Sequence, residues 1–432
     1  MTVMPDAQRT RGGERGVILI MVLFIVTLFT VLALEFNYAT RVKHHIASTC
    51  RDDLLALGIA LAGVHETVAL LRDDRLRELE EKEREEEKGR PAGGGSSFIE
   101  QVTGGRRQTH GAPRDVPFPD HYGEDWARER VQEPFGEGSL TLKVVDESGK
   151  ININTLVREQ RPMPRAATPT PTPCEDCPPP EATPKPPPRA WGQKDPDRTG
   201  EEPAEQAEGT PTPEPVRYVV DKNVEKDIMK LVKGLDVRSV DEEKVTAAIV
   251  DWMDSNDDGD WEDDAYDDGP PPKNAPLDVP SELLMITGVT GDLFFGPGRP
   301  ETIDLGAEME RKGPRRGGTG LQDCLTVFSG SKVNVNTAPP EVLAALLPEE
   351  NESLVKDIVA HTRRDYFKDL TEFEERMGEH VPASFRAKIG VGSDCVQIIS
   401  RGQVNDSVAQ LRAYVRRDDD AVTRVLFWGV DR

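Results

Sequence analysis

"GVILIMVLFIVTLFTVLAL", residues 16–34, is the stretch from which the rest of the chain can be read. No residue from Val17 to Leu34 carries a charge. As a helix, those residues rise roughly 27 Å, just enough to cross the hydrocarbon of a bilayer. The head before them holds Arg9, Arg11 and Arg15 and little acid, which predicts a cytoplasmic amino terminus. A cleaved secretory signal is the alternative, with Ala39 as the small residue near a cut. The helical pattern does not stop at the membrane. Leu54, Leu55, Leu57, Ile59, Leu61, Val64, Val68 and Leu71 keep an apolar face. "RLRELEEKEREEEK" (75–88) then pairs opposite charges one turn apart, and "PAGGGSS" (91–97) ends the run. The spacing predicts one long helix, half inside a membrane and half outside it.

Beyond the helix, composition narrows the function. The 432 residues carry a net charge of −24 and an apolar fraction of 36%. Such acidity repels nucleic-acid phosphates and anionic lipid and suits a secreted or periplasmic protein, or one that collects cations. Five cysteines are too few for a disulfide scaffold. Cys174 and Cys177 form a lone CxxC in a proline tract, open to zinc, a local disulfide or free thiols. A Cys324–Cys395 bridge would close the second repeat described next.

Two segments repeat each other. "GKININTL" (149–156) and "SKVNVNTAPPEVLAALLP" (331–348) both alternate β-branched residues with asparagine and then place a threonine. Alternation predicts a short half-buried strand, and Thr155 or Thr337 is expected to cap a following helix. In the second copy, the prolines and Glu341 suit a first helical turn. "GEGSLTLKVVDESGKININTL" (136–156) reads as two strands around a "DESG" hairpin turn. Proline, threonine and glutamate dominate 157–216, a segment that cannot bury a core. Helical periodicity resumes at "NVEKDIMKLVKGL" and "EEKVTAAIVDWMD", and again at "ESLVKDIVAHTRR". A second long loop covers 296–320, and three amphipathic strands close the chain in 395–432.

The basic leader ending at Gly16, followed at once by the apolar helix, resembles type IV prepilins and type II secretion pseudopilins. The resemblance implies that a prepilin peptidase cuts between Gly16 and Val17 and methylates the new amino terminus. Most members carry glutamate at the fifth mature position, where it pairs with the amino terminus of a neighbouring subunit; Met21 stands there in this chain. That departure, both asparagine repeats, "IVDWMDSNDD" (249–258), "KNAPLDVPSELLMITGVT" (273–290) and "VRRDDDAVTRVLFW" (415–428) are together similar to the minor pseudopilin K family. The implied fold is α+β: a type IV pilin-like helix and small antiparallel sheet with a large inserted α-helical domain. The corresponding segments are a leader (1–16), the membrane and pilin helix (17–90), a β region (91–155), the proline-rich insert (156–216), the helical domain (217–392) and a C-terminal sheet (393–432). The implied role is that of a subunit at the tip of the type II secretion pseudopilus, which helps start or cap the fibre as folded proteins cross the outer membrane. It would sit in the inner membrane by a single span, with its bulk in the periplasm and minor pseudopilins I and J as partners.

One cluster could hold a ligand. From Asp254 the chain reads D-x-N-x-D-G, the opening half of an EF-hand loop, in which alternating hard oxygens converge on calcium and Gly259 permits the sharp turn. The expected ligands are Asp254, Asn256, Asp258, Asp260 and Glu262, with Asp251, Asp263 and Asp264 as substitutes; Ala265 stands where a bidentate glutamate is usual. So many carboxylates repel one another unless a cation neutralises them. Catalysis is not expected: the seven histidines are scattered, and no G-x-S-x-G, H-E-x-x-H or phosphate-cradling glycine loop is present. A membrane-anchored DNA receptor is the rival, because "VNVNTAPPEVLAALLP" also resembles the start of a helix-hairpin-helix module. Its hairpin positions read "PEENES" here and "KGLDVRS" in the first copy; the former is acidic and lacks the glycines that expose backbone amides to phosphate.

Overall fold

The computed structural model describes residues 13–89, 119–160, 217–238, 240–256, 259–262, 266, 270–299, 317–378, 381–418 and 421–431. The proline-rich stretch 161–216 with Cys174 and Cys177, the segment after the long helix and residues 300–316 of the second loop lie outside them.

The helix α1 runs unbroken from Gly13 to Gly89. Its membrane-length part is bare: Ile18, Phe24, Leu28, Leu32 and Phe36 all face outward. Among the described residues, this is the one helix long and apolar enough to cross a membrane. The outer half of α1 lies on a five-stranded antiparallel sheet of order β1-β2-β9-β10-β11. Its strands are β1 (Arg130–Phe135), β2 (Gly138–Asp146), β9 (Cys395–Val404), β10 (Ser407–Arg417) and β11 (Thr423–Asp431). Ala56, Ile59, Ala60, Val64 and Leu71 are buried against Leu140, Leu142, Val144, Ile398, Leu411, Ala413 and Val415. The helix comes so close that a Cβ on Gly402 would stand 2.0 Å from the carbonyl oxygen of Ala56. No other residue type fits there.

Because β2 pairs directly with β9, everything between them is an insertion into one sheet. That insertion has its own core, in which Ile153, Ile228, Leu231, Ile249, Leu293, Leu343, Phe367, Phe373 and Phe385 are fully or almost fully buried. Its helices include α2 (Lys222–Gly234), α3 (Glu242–Met253), α4 (Gly291–Phe295), α5 (Leu321–Cys324), α6 (Pro340–Leu346), α7 (Glu352–Thr362), α8 (Leu370–Met377) and α9 (Ala383–Arg386). Two very short parallel pairs join β3 (Ile151–Asn152) to β6 (Leu325–Thr326) and β7 (Val333–Asn334) to β8 (Ile389–Gly390). A ribbon of β4 (Val157–Gln160) and β5 (Arg217–Val220) flanks the first repeat.

Three expectations change. The "DESG" segment is not a hairpin: β2 ends at Asp146 between β1 and β9, and the chain crosses through the turn to pair β3 with β6. The Asp146 side chain is buried and accepts from Ser148 N at 2.8 Å, so the turn is held from inside the protein. The helix after the second repeat starts later than expected, with Pro339 at its N-cap and Pro340 as its first residue, and Thr337 caps nothing. After the first repeat comes a 3-10 turn, Ile153–Leu156, and then β4. Cys324 and Cys395 are both free buried thiols.

Candidate functional site

The asparagine repeats turn out to be one device used twice. In the first copy Asn152 Oδ1 accepts from Asn154 N at 3.0 Å; in the second Asn334 Oδ1 accepts from Asn336 N at 3.0 Å. Each bond bends the chain out of its two-residue strand, as asparagine side chains commonly do two residues on. The next asparagine then grips a distant backbone in both directions. Asn154 donates to Leu277 O at 2.9 Å and accepts from Leu277 N at 2.8 Å. Asn336 does the same with Phe367, at 3.0 and 2.8 Å. The threonines serve elsewhere: Thr155 donates to Asn152 O at 2.7 Å, and Thr337 donates to Asp146 Oδ2 at 2.5 Å. Only side-chain amides carry a donor and an acceptor side by side, which is why asparagine recurs here.

The second copy also ties the inserted lobe to the sheet. Asn334 Nδ2 donates to Asp120 O at 3.0 Å, Asp146 Oδ2 at 3.2 Å and Ser393 Oγ at 2.8 Å. Asp120 in turn pairs with Arg417 at the end of β10, and Arg417 Nη1 reaches Asp74 of α1 at 2.8 Å. Helix, sheet and lobe therefore meet at one buried polar knot. Glu78, from the same helical face as Asp74, has its pKa pushed up to about 7 by burial, with Arg417 pulling the other way. Burial raises Glu124 to about 8, helped by the charges of Asp120 and Asp74. Burial also raises Asp146 to about 6, against hydrogen bonds from Ser393 and Thr337. One guanidinium thus faces Asp74, Asp120 and Glu78, and burial works against the ionised form of Glu78 and Asp120. Sequence reasoning missed this knot, because its members are scattered from 74 to 417 in a chain with 31% charged residues.

The acidic loop follows α3. Asp254 is its C-cap and is buried, as is Asp251 one turn earlier. Asp254 accepts from Asn256 N at 3.3 Å and from Asn256 Nδ2 at 2.6 Å. The loop folds back so that Trp261 N donates to Asp251 Oδ2 at 3.0 Å. A Cβ on Gly259 would stand 2.2 Å from that same oxygen, so a larger residue there would push the Asp251 carboxylate aside. Burial, and then the nearby Asp251 charge, raise the Asp254 pKa. Asp254, Asn256 and Asp251 are thus gathered; Asp260 is exposed, Glu262 is half-buried, and Asp258, Asp263 and Asp264 lie outside the described residues. Two buried carboxylates facing a closed acidic loop are a donor set suited to a hard cation. Gly16 and Val17 lie in the first turns of α1, four or five residues before the outward-facing Met21. In the rival module's hairpin position, α6 and α7 are joined by Glu349–Asn351, whose two glutamates precede a third at the start of α7.

The comparisons bear on this architecture at two places. The first and second helical regions each match a family model described as "Type II secretion system (T2SS), protein K", over residues 204–295 and 333–388. Those spans contain the acidic loop and the second asparagine device. A solved structure, the GspK–GspI–GspJ complex from the type 2 secretion system of enterotoxigenic Escherichia coli, is similar with a TM-score of 0.45 and 14% identity, covering 73% of this chain and 87% of that one. No curated protein sequence matches the chain. The lobe inserted between the strands of a sheet that rides on one long apolar-headed helix is thus similar, in both of its halves, to protein K of the type II secretion system.

Proposed function

We propose that this protein is the minor pseudopilin at the tip of the type II secretion pseudopilus. It would be held in the inner membrane by the first half of α1, with sheet and lobe in the periplasm. Minor pseudopilins I and J are its proposed companions, and a prepilin peptidase cutting between Gly16 and Val17 would release it for assembly. It is a structural part of the machine, not a catalyst. The observation that carries the tip position is the lobe itself. It is inserted between β2 and β9 and tied by Asn334 to Asp120 and Asp146, with Asp120 linked through Arg417 to Asp74 of α1, so it would not swing aside for a subunit stacked above. Met21 agrees. A subunit beneath another needs a carboxylate for the buried amino terminus beside it, and leaving that charge unpaired in an apolar bundle is costly. Immunogold labelling of sheared fibres is expected to place this protein at one end only. Labels spaced along the fibre would end the tip reading.

We further propose that the loop from Asp254 to Glu262 binds calcium. Asp254, Asn256, Asp260 and Glu262 would supply oxygens, with Asp258 expected among them and Asp251 as the inner carboxylate. The ion would neutralise the buried pair and pin the end of α3 to the loop. Chelation is expected to lower the melting temperature of the full chain. Calcium at a hundredfold excess over its dissociation constant would restore roughly 2.7 kcal/mol. If titration calorimetry gives no uptake at millimolar calcium, the loop is a solvated one.

A further inference from the structure

The sheet has two edges, and they differ in how far they are closed to a further strand. Along β1 the pairing with β2 shifts register between Arg130 and Glu133, Gln132 has a left-handed φ of 48°, and Pro134 has no amide to offer. These features stop another strand from adding to a sheet. The other edge, β11, has one register shift, where Leu426 bulges between Val425 and Phe427, but no left-handed residue and no proline. Between Arg424 and Asp431 it reads V-L-F-W-G-V. Val425 is 50% exposed, Leu426 39%, Phe427 42%, Trp428 61% and Val430 46%. Both faces of the strand are involved. Val425, Trp428 and Val430 lie opposite Val415, Ala413 and Leu411, which are core residues under α1. The helix covers those three and leaves their β11 neighbours exposed. Phe427 is on the far face, its ring 6.2 Å from that of Tyr414.

We propose that β11 is a docking edge for a strand of a second subunit anchored in the same membrane, whose own long helix lies beside α1 and covers Val425, Trp428 and Val430. Area argues for this two-part contact. Five half-exposed apolar side chains present on the order of 400 Å², enough to mark an interaction site but about half of what a free-standing partner buries per side. Leu54, Leu57 and Leu61 of α1, exposed by 70, 36 and 43%, supply a second apolar surface. A shared membrane supplies the effective concentration. A second copy of this chain does not fit. Antiparallel pairing of β11 with itself about an axis normal to the sheet would reverse one α1, sending the two apolar ends in opposite directions. Head-to-tail pairing would meet the blocked β1 edge. That the second subunit belongs to the pseudopilus rests on the function proposed above.

The test uses the full chain co-expressed in membranes with companions I and J of its own secretion system, with p-benzoylphenylalanine in place of Leu426. Illumination is expected to cross-link the chain to one companion. The variant Trp428→Lys/Val430→Lys, which charges only exposed positions, is expected to cut that product at least tenfold without changing the melting temperature. If the double variant melts early, Trp428→Thr removes the exposed ring alone and is expected to cut the product severalfold. Companions that co-purify with the wild type yet never cross-link at 426 would overturn the docking edge and leave the tip reading standing. A cross-link between two copies of this chain would also overturn it. Failure of the companions to co-purify with the wild type at all would overturn both.

Discussion

Gly16→Val is expected to leave the leader attached and to abolish secretion, while the protein still accumulates in the membrane. The substitution lies at the junction between the arginine-bearing head and the apolar span. Glycine there matters for a physical reason as well as for the family pattern. A helix must unwind locally to enter a protease, and glycine lowers the cost of opening by about 1 kcal/mol relative to alanine. If the proposed cleavage follows Gly16, valine does the reverse of what the cut needs, adding a branched side chain and extending the apolar run. Mass spectrometry of the wild-type protein should find its amino terminus at Val17, and of the variant at the start of the leader. A wild-type amino terminus at any other residue would remove the prepilin reading, whatever the secretion phenotype.

The largest expected effect on stability comes from Arg417→Met. The Arg417 side chain is 5% exposed and bonds Asp120, Asp74 and the carbonyl of Ser393 at once. Removing the guanidinium leaves the Asp120 carboxylate buried without its cation, and breaking such a pair typically costs about 3–5 kcal/mol. On a lobe-and-sheet protein of this size, a melting temperature lower by on the order of ten degrees is expected. Asp120→Asn in the same background should recover much of the loss, because an amide needs no counter-charge. Arg130→Met is the control. Arg130 pairs with Glu66 at a far more exposed place, so a change below about 1 kcal/mol is expected. If Arg417→Met and Arg130→Met melt alike, the knot is not what joins α1, sheet and lobe.

How far the chain could be read without its fold depended on the range of the interaction concerned. The long helix was legible because helical periodicity and apolar length are local properties, and α1 runs from Gly13 to Gly89 much as the pattern predicts. The three closing strands were legible for the same reason, since alternation and turn residues stand next to each other. The acidic stretch after α3 was legible as a loop. The spacing from Asp254 pointed to it, but the part played by Asp251 depends on the loop folding back to bring Trp261 N onto its carboxylate.

Partners far apart in the chain decided the rest. "DESG" has the composition of a hairpin turn, yet the carboxylate of Asp146 is held by Ser393, Thr337 and Asn334, all more than 180 residues away. A turn residue bound from outside its turn no longer obeys the local rule. Thr337 was misread because the helix begins only at Pro340, with Pro339 as its N-cap, while the Thr337 hydroxyl donates to the buried Asp146 and the asparagines make the bends. The sequence by itself determined the long apolar helix, the helical and extended segments and the repeated asparagine device, all set by interactions within a few residues. Only the tertiary structure decided what those devices hold. Desolvation makes a buried Arg417, Asp120 or Asn334 unstable without a partner, and the partner is supplied by whichever distant segment the fold brings there.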